Sequence, residues 1–316
     1  MKILANDGIS QSGITALEKA GFEVITTKVA QEQVANFINK NEISVLLVRS
    51  ATKVRKDIID DCPTLKIIGR GGVGMDNIDV AYAKSKGIHV ISTPASSSES
   101  VAELVFAHLF TGVRFLHDSN RNMPLEGDTN FNELKKAYAN GIELRGKTLG
   151  IIGMGRTGQA SAKMAFGLGM KVIYSDFEIP EKNLKIHFFD GQTISISLRS
   201  QALESLFKEA DFITLHVPAQ DNYVIGEKDF EAMKDGVGII NCARGGAIDE
   251  VALVAALDSG KVSFAGLDVF ESEPNPEITI LMHPQISLTP HIGAATGEAQ
   301  DRIGTELASQ IIHLLK

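Results

Sequence analysis

Short apolar runs alternating with helix-patterned stretches of ~10 residues constrain this chain more than any other feature, because that alternation is the pattern of βαβ units. From the N-terminus the runs fall at residues 2–5, 22–26, 43–48, 65–68 and 88–91, and the set closes near Pro94. A second set follows at residues 148–152, 172–175, 212–216, 238–241 and 264–267. Between the sets, residues 96–103 supply helix-capping side chains ahead of 101–110, a long apolar-periodic helix expected to cross between domains. After Pro290, residues 298–315 carry one more helical pattern, expected to return and pack on the first domain. The predicted fold class is α/β, with two doubly wound parallel-sheet domains of Rossmann or flavodoxin-like kind and a cleft between them. Residues 1–97 plus 290–316 would form one domain and 98–289 the other. Residues 185–197 break the alternation: β-rich flanks around Asp190 and Gly191 read as a hairpin insertion, to which no function is attached.

A chain of 316 residues exceeds what one hydrophobic core usually supports, in keeping with two domains. The formal charge of -8 and the absence of a long Lys/Arg run argue against nucleic acid or an anionic membrane surface as partner. The N-terminal apolar run is too short for a signal peptide, and no stretch approaches the ~20 apolar residues of a membrane span, so a cytoplasmic location is expected. Cys62 and Cys242 have no His or Cys neighbours at metal-ligand spacing, so neither zinc nor a disulfide framework is indicated.

The turn formed by Gly153, Met154, Gly155, Arg156, Thr157 and Gly158 follows a predicted strand and opens a predicted helix. Glycines there permit a tight turn and close approach to a pyrophosphate. Such spacing alone is weak, since a Gly-rich turn also occurs in α/β folds that bind no nucleotide. The next strand strengthens it by ending in Asp176, 18 positions after Gly158, where a carboxylate can accept hydrogen bonds from the adenosine ribose hydroxyls. An acid there repels a 2'-phosphate, which favours NAD over NADP as cofactor.

Three downstream strands end in unusual polar residues: Asn241, Cys242, Ala243 and Arg244; Asp268 through Glu273; and Thr289, Pro290 and His291. Strand C-termini are where an open α/β sheet binds ligands. Taken singly, Arg244 reads as a surface charge, Glu273 as the end of a turn and His291 as a helix cap. Together with the glycine turn, the three segments closely resemble the D-2-hydroxyacid dehydrogenase family, over essentially the whole chain. The resemblance implies hydride transfer between NAD and C2 of a small anionic 2-hydroxy or 2-keto acid. It assigns catalysis to Arg244, Glu273 and His291. Arg244 has the planar fork needed to hold a carboxylate and polarise the C2 oxygen. His291 would take and return the hydroxyl proton, and Glu273 would orient its ring and favour the protonated form. By the same resemblance Thr214, His216, Val217, Pro218, Asn241, Cys242, Ala243, Asp268 and His291 border the cofactor, with Asp268 accepting from the nicotinamide carboxamide. Cys242 is then a packing residue, with no base nearby in sequence to activate a thiolate. His89, His108, His117, His187 and His283 read as packing or surface residues.

Within the family, residues 47–54, 68–77 and 93–98 most resemble the D-3-phosphoglycerate dehydrogenase branch, which implies oxidation of 3-phospho-D-glycerate in L-serine synthesis. Arg49, Lys53 and Arg70 follow or flank strand ends and could converge on a phosphate. Ser50 sits among them. Gly72, Val73 and Gly74 lie in a loop whose backbone N–H groups could reach the substrate carboxylate, alongside Arg244 and His291. Relatives acting on glyoxylate or hydroxypyruvate share much of this outline and are the alternative. A reading from another class is an NAD-sensing corepressor of the same fold, against which stand the absence of a long disordered tail and of a basic surface. The chain stops at Lys316, so no C-terminal regulatory domain or serine feedback is expected. The family also implies a homodimer formed mainly by the nucleotide-binding domains. Residues 123–144 are not readily matched to the family outline, which leaves Lys135 and Lys136 without a role.

Overall fold

The computed structural model describes residues 1–316 and divides into two compact units, residues 1–100 with 294–316, and residues 101–293. The first unit runs β1 (Lys2–Ala5), α1 (Gln11–Lys19), β2 (Glu23–Ile25), α2 (Val34–Asn41), β3 (Ile43–Val48), α3 (Lys56–Asp61), β4 (Ile67–Arg70), α4 (Val80–Ser85) and β5 (His89–Ser92). Its five strands are all parallel, in the order β2-β1-β3-β4-β5. The apolar runs are explained by burial on both faces. Leu4, Leu46 and Ile68 point into one core with Ile38 and Ile58, and Ile3, Val45, Leu47 and Ile67 into the other with Leu17 and Ile303. Alternate residues of a strand face opposite ways, so a strand covered on both sides has no polar face to show in its sequence. Each fully buried Leu or Ile contributes about 1.5–3 kcal/mol to folding.

The second unit contains α5 (Ser98–Val113), whose first three residues belong to the first unit, then α6 (Leu116–Glu126), α7 (Phe131–Ala137), β6 (Thr148–Ile152), α8 (Arg156–Gly167), β7 (Lys171–Ser175), β8 (Glu181–His187), β9 (Thr193–Arg199), α9 (Leu203–Glu209), β10 (Phe212–Leu215), α10 (Glu227–Ala232), β11 (Val237–Asn241), α11 (Glu250–Asp258), β12 (Val262–Leu267), α12 (Ile278–Leu281) and β13 (Ile286–Leu288). Six parallel strands form its sheet, in the order β13-β12-β11-β10-β6-β7. Phe212, Ile240 and Phe264 fill one face and their neighbours Ile213, Ile239 and Ala265 the other.

The last helix, α13 (Gly297–Leu315), packs on α1 in the first unit. Their close approach depends on a glycine pair, because a Cβ on Gly13 would lie 2.8 Å from the Gly304 carbonyl oxygen. Ser10 caps α1 by accepting from the Gly13 N–H at 3.3 Å.

The hairpin reading of residues 185–197 corresponds to β8 and β9, an antiparallel pair with Lys185 opposite Ser195. Its loop is Phe189, Asp190 and Gly191, closed by the Gly191 N–H on the Phe188 carbonyl at 3.0 Å with Gly191 at φ 88°. This is the three-residue loop with a left-handed glycine rather than a two-residue Asp-Gly turn. No helix is long and apolar enough to cross a membrane.

Both sheets reverse their strand order once, between β1 and β3 in the first unit and between β6 and β10 in the second. Helices leave opposite faces at such a point, which opens a crevice at the C-terminal strand ends. The residues singled out from sequence follow those ends.

Candidate active site

In the second unit, Gly153 takes φ 94° at the end of β6, and a Cβ on it would lie 2.5 Å from the His216 carbonyl oxygen at the end of β10. The turn is therefore pressed against the neighbouring strand end at the switch point. A Cβ on Gly158 would strike the Gly153 carbonyl at 2.1 Å, so the start of α8 is locked under the turn. Gly155 has nothing within 4 Å of its Cβ position, leaving open approach to the first N–H groups of a 12-residue helix. Such a cradle suits a pyrophosphate. Met154 is buried, Arg156 is exposed and Thr157 is half-buried beside it.

Asp176 at the end of β7 is already engaged. Its Oδ2 accepts the Met154 N–H at 2.6 Å, and its Oδ1 accepts the N–H groups of Glu178 and Ile179 at 2.8 and 2.9 Å. An ionised carboxylate offers about four acceptor positions, so capacity for a ribose hydroxyl remains after three are used. Asp176 thus also braces the glycine turn, a role its spacing did not reveal.

At the end of β10, Thr214 is fully buried and its hydroxyl lies 3.3 Å from His216 Nε2. The His216 Nδ1 is shut off from solvent without a partner, and burial pushes the imidazole down to about 3. A neutral ring with an orphan nitrogen beside the glycine turn fits a site completed by a polar ligand. Val217 is half-buried and Pro218 exposed.

Asn241 ends β11 and folds the next turn, its Oδ1 accepting the Ala243 N–H at 3.0 Å and its Nδ2 donating to the Arg244 carbonyl at 2.9 Å. Cys242 and Ala243 are buried, and burial raises the Cys242 thiol well above its ordinary value, which keeps it protonated. The Arg244 Nη1 donates to the Ala243 carbonyl at 2.6 Å. A Cβ on Gly245 would lie 1.8 Å from the Phe270 carbonyl oxygen, so this turn sits directly on the segment that follows β12. Glu250 and Glu271 tie the same two segments together: each backbone N–H donates to the other's carboxylate, at 2.9 and 2.8 Å.

That segment ends in Glu273, whose Oε1 accepts the Phe270 N–H at 3.0 Å and whose Oε2 lies 2.9 Å from His291 Nδ1. A carboxylate only accepts, so Nδ1 carries the proton and Nε2 is left as a base. His291 holds φ 55°, in the left-handed region that a bulky side chain rarely adopts. Asp268, 1% exposed, stabilises that turn: its Oδ1 accepts the Thr289 hydroxyl at 2.6 Å and the Ile292 N–H at 2.7 Å, and its Oδ2 accepts the Gly293 N–H at 2.8 Å. Beside the dyad lies an apolar cavity of about 420 Å³ lined by Phe270, Pro274, Leu281 and Leu288.

In the first unit, Arg49 and Ser50 follow β3 at the switch point, with Lys53 further along the loop. Asp7, at the end of β1, accepts the Arg49 and Thr52 N–H groups at 2.7 and 3.0 Å and the Thr52 hydroxyl at 2.7 Å. Asn77 donates to the Arg49 and Thr52 carbonyls at 2.8 and 2.6 Å and accepts the Arg70 Nε–H at 2.9 Å. One asparagine therefore holds the Arg49 loop and the Arg70 guanidinium together. Gly72 lies against the same group, its Cβ position 2.5 Å from Arg70 Nη1, the mobile end of that side chain. Val73 and Lys53 are exposed, Gly74 half-buried, and Gln31 brackets the Lys53 backbone at 2.8 and 2.9 Å. Sequence reasoning passed over Asp7, two residues after β1, and Asn77, in the loop between β4 and α4, where no periodic pattern marks a role.

The family model for the D-isomer specific 2-hydroxyacid dehydrogenase, NAD binding domain, matches residues 106–293. Hydroxypyruvate reductase of Thermotoga maritima is 43% identical, covering 98% of this chain and 97% of that protein. D-3-phosphoglycerate dehydrogenase of Methanocaldococcus jannaschii is 41% identical over all of this chain, which spans 58% of that longer protein. Among solved structures, the TT0316 protein of Thermus thermophilus superposes with a TM-score of 0.82 at 29% identity, covering 98% of this chain and 94% of that one. With a family match over the glycine turn, Arg244, Glu273 and His291, and a full-length relative at 43% identity, the chain belongs to the D-isomer specific 2-hydroxyacid dehydrogenase family and is an NAD-dependent enzyme of it.

Proposed function

We propose that this enzyme oxidises 3-phospho-D-glycerate to 3-phosphohydroxypyruvate, the first step of L-serine synthesis. The observation that carries this reading is that one residue, Asn77, holds both the backbone of Arg49 and the guanidinium of Arg70 at the strand ends of the first unit. A plain hydroxy acid has no use for two such cations, whereas a phosphate takes bidentate hydrogen bonds from each. Lys53 adds a third positive group on the same loop. Likeness to phosphoglycerate dehydrogenases of several organisms, at 35–41% identity, is in keeping with it.

In this reading Arg244 holds the substrate carboxylate and polarises the C2 oxygen. His291 Nε2 accepts the C2 hydroxyl proton, and Glu273 on Nδ1 fixes the ring and stabilises the imidazolium that results. NAD, when bound, supplies the acceptor for the C2 hydride. Residues 153–158 would cradle its pyrophosphate, Asp176 a ribose hydroxyl, and Thr214, His216, Val217, Pro218, Asn241, Cys242, Ala243 and Asp268 would line its remaining length.

The second reading, reduction of hydroxypyruvate, is favoured by the Thermotoga maritima relative, which matches this chain end to end. Initial rates of NADH formation with 3-phospho-D-glycerate, D-glycerate and D-lactate at alkaline pH decide between them. A preference for the phosphorylated acid that Arg49→Ala abolishes supports the first reading. Equal or better use of D-glycerate, unaffected by Arg49→Ala, moves the assignment to the second.

A homodimer through the second unit is part of the same proposal. It is supported by the apolar side chains that α6 and α7 leave in solvent, with Leu116 at 50%, Leu125 at 75% and Phe131 at 56% exposure. Sedimentation equilibrium of the wild type and of Leu125→Asp tests it.

A further inference from the structure

His108 reads from sequence as a packing residue on α5, but its ring is held by hydrogen bonds at both nitrogens. It is 2% exposed, with Nδ1 2.9 Å from Ser287 Oγ and Nε2 3.0 Å from Thr289 Oγ1. The directions of these bonds follow from their far end. Asp268 can only accept, so the Thr289 hydroxyl donates to it, and the Thr289 oxygen must then accept from His108 Nε2–H. A neutral ring with its proton on Nε2 accepts the Ser287 hydroxyl at Nδ1. Burial pushes the imidazole down, partly offset by Asp268, which keeps the ring in that neutral form. The fold also makes room for it: a Cβ on Gly266 of β12 would lie 2.5 Å from His108 Cβ. Residue 266 is thus a glycine in mid-strand, where glycine otherwise weakens pairing.

The chain ends at the backbone that carries His291. Asp268 accepts from Ile292 and Gly293, the two residues after His291, and from Thr289, two residues before it. A left-handed His291 costs conformational energy and persists only where its surroundings over-determine it. We propose that His108 is a positioning residue, which acts through Thr289 and Asp268 to hold the His291 turn in the conformation that keeps its imidazole on Glu273. This rests on His291 being the proton acceptor of the reading above.

The test compares His108→Leu, His108→Asn, His108→Gln, Thr289→Val and Thr289→Ser with wild type, with KM for the hydroxy acid and calorimetric Kd for NAD measured on each. Gln places an amide N–H near the position of Nε2, Asn near that of Nδ1, and Leu none. The expected result is a fall in kcat on the order of ten- to a hundredfold for His108→Leu, His108→Asn and Thr289→Val, with KM and Kd within about twofold of wild type. His108→Gln and Thr289→Ser should return most of the activity. The double variant His108→Leu/Thr289→Val should be no worse than the poorer single variant, because both break one chain. If His108→Leu does not fold, Thr289→Val, which keeps the side-chain shape, against Thr289→Ser makes the same comparison.

Unchanged kcat in folded His108→Leu and Thr289→Val overturns the proposal. So does a loss confined to NAD affinity, which would assign the chain to cofactor binding instead. His291→Asn, assayed alongside, separates the two levels. If it turns over normally, the proton-acceptor reading itself fails and the role of His108 falls with it. If it is inactive while the His108 and Thr289 variants are not, only the positioning role is lost.

Discussion

His291 Nδ1 stands 2.9 Å from Glu273 Oε2 while the other Glu273 oxygen accepts the Phe270 N–H, so the carboxylate is itself fixed before it fixes the imidazole. Glu273→Gln keeps the shape but replaces an ionised acceptor by a neutral amide that stabilises an imidazolium less. Turnover should fall about 10²-fold or more, and His291→Asn, which removes the base, by about 10²–10⁴-fold. Both should bind NAD as wild type does. The chain has no Trp, so calorimetry is the suitable check.

Asp176 should behave differently. Because it braces Met154 as well as being the proposed acceptor for a ribose hydroxyl, Asp176→Ala should weaken NAD binding by at least tenfold, with the loss of a charge-assisted hydrogen bond worth about 1.5–3 kcal/mol. The apo enzyme should also become more susceptible to proteolysis near residues 153–158. Loss of NAD affinity with unchanged apo protection would restrict Asp176 to ribose binding alone.

Gly245→Ala is expected to be severe. A methyl group 1.8 Å from the Phe270 carbonyl oxygen cannot be accommodated by a rotamer change, since the obstacle is backbone. The turn bearing Arg244 must move off the segment bearing Glu273, with a stability cost of about 2 kcal/mol or more and a loss of kcat. Thermal melts and initial rates on the same preparation test both. Gly246→Ala, with no atom within 4 Å but φ 75°, should show strain without collision and a smaller effect.

His216 gives a pH prediction. Its folded value, about 3, lies below the ordinary 6.5 of the unfolded chain, so the unfolded state binds an extra proton between those limits. Stability from this residue is present above pH 6.5 and falls as the pH is lowered, by up to ~1.4 kcal/mol per pH unit. Urea midpoints between pH 7 and 4.5 should decline less steeply in His216→Gln than in wild type.

What the sequence showed and what it hid divide along one physical line. Strands buried on both faces, such as residues 43–48 and 148–152, announce themselves because every residue is apolar or nearly so. The glycine turn and the Glu273–His291 pair were legible for a related reason: they are local or lie at strand ends, where the pattern marks position. β13, three residues long, is too short to show a period, so the sixth strand was legible only from the polar residues 289–291 that follow it. Helices α6 and α7 leave Leu125 and Phe131 in solvent and have no buried residues, so no amphipathic stripe marks them. Asp7, Asn77 and His108 act on partners as far as 45, 28 and 181 residues away, a relationship that exists only after the chain has folded.

The hairpin of β8 and β9 follows β7, an outer strand of the six-stranded sheet, and its base touches that strand through the Tyr174 to Ser200 bridge. An uncovered outer strand is a template on which another chain can add. Here one rim is shielded by this insertion and the other is only three residues long, at β13. A protein trimmed between residues 181 and 199 would keep residues 153–158, Arg244, Glu273 and His291 yet uncover that rim, and is expected to self-associate more readily than the full chain.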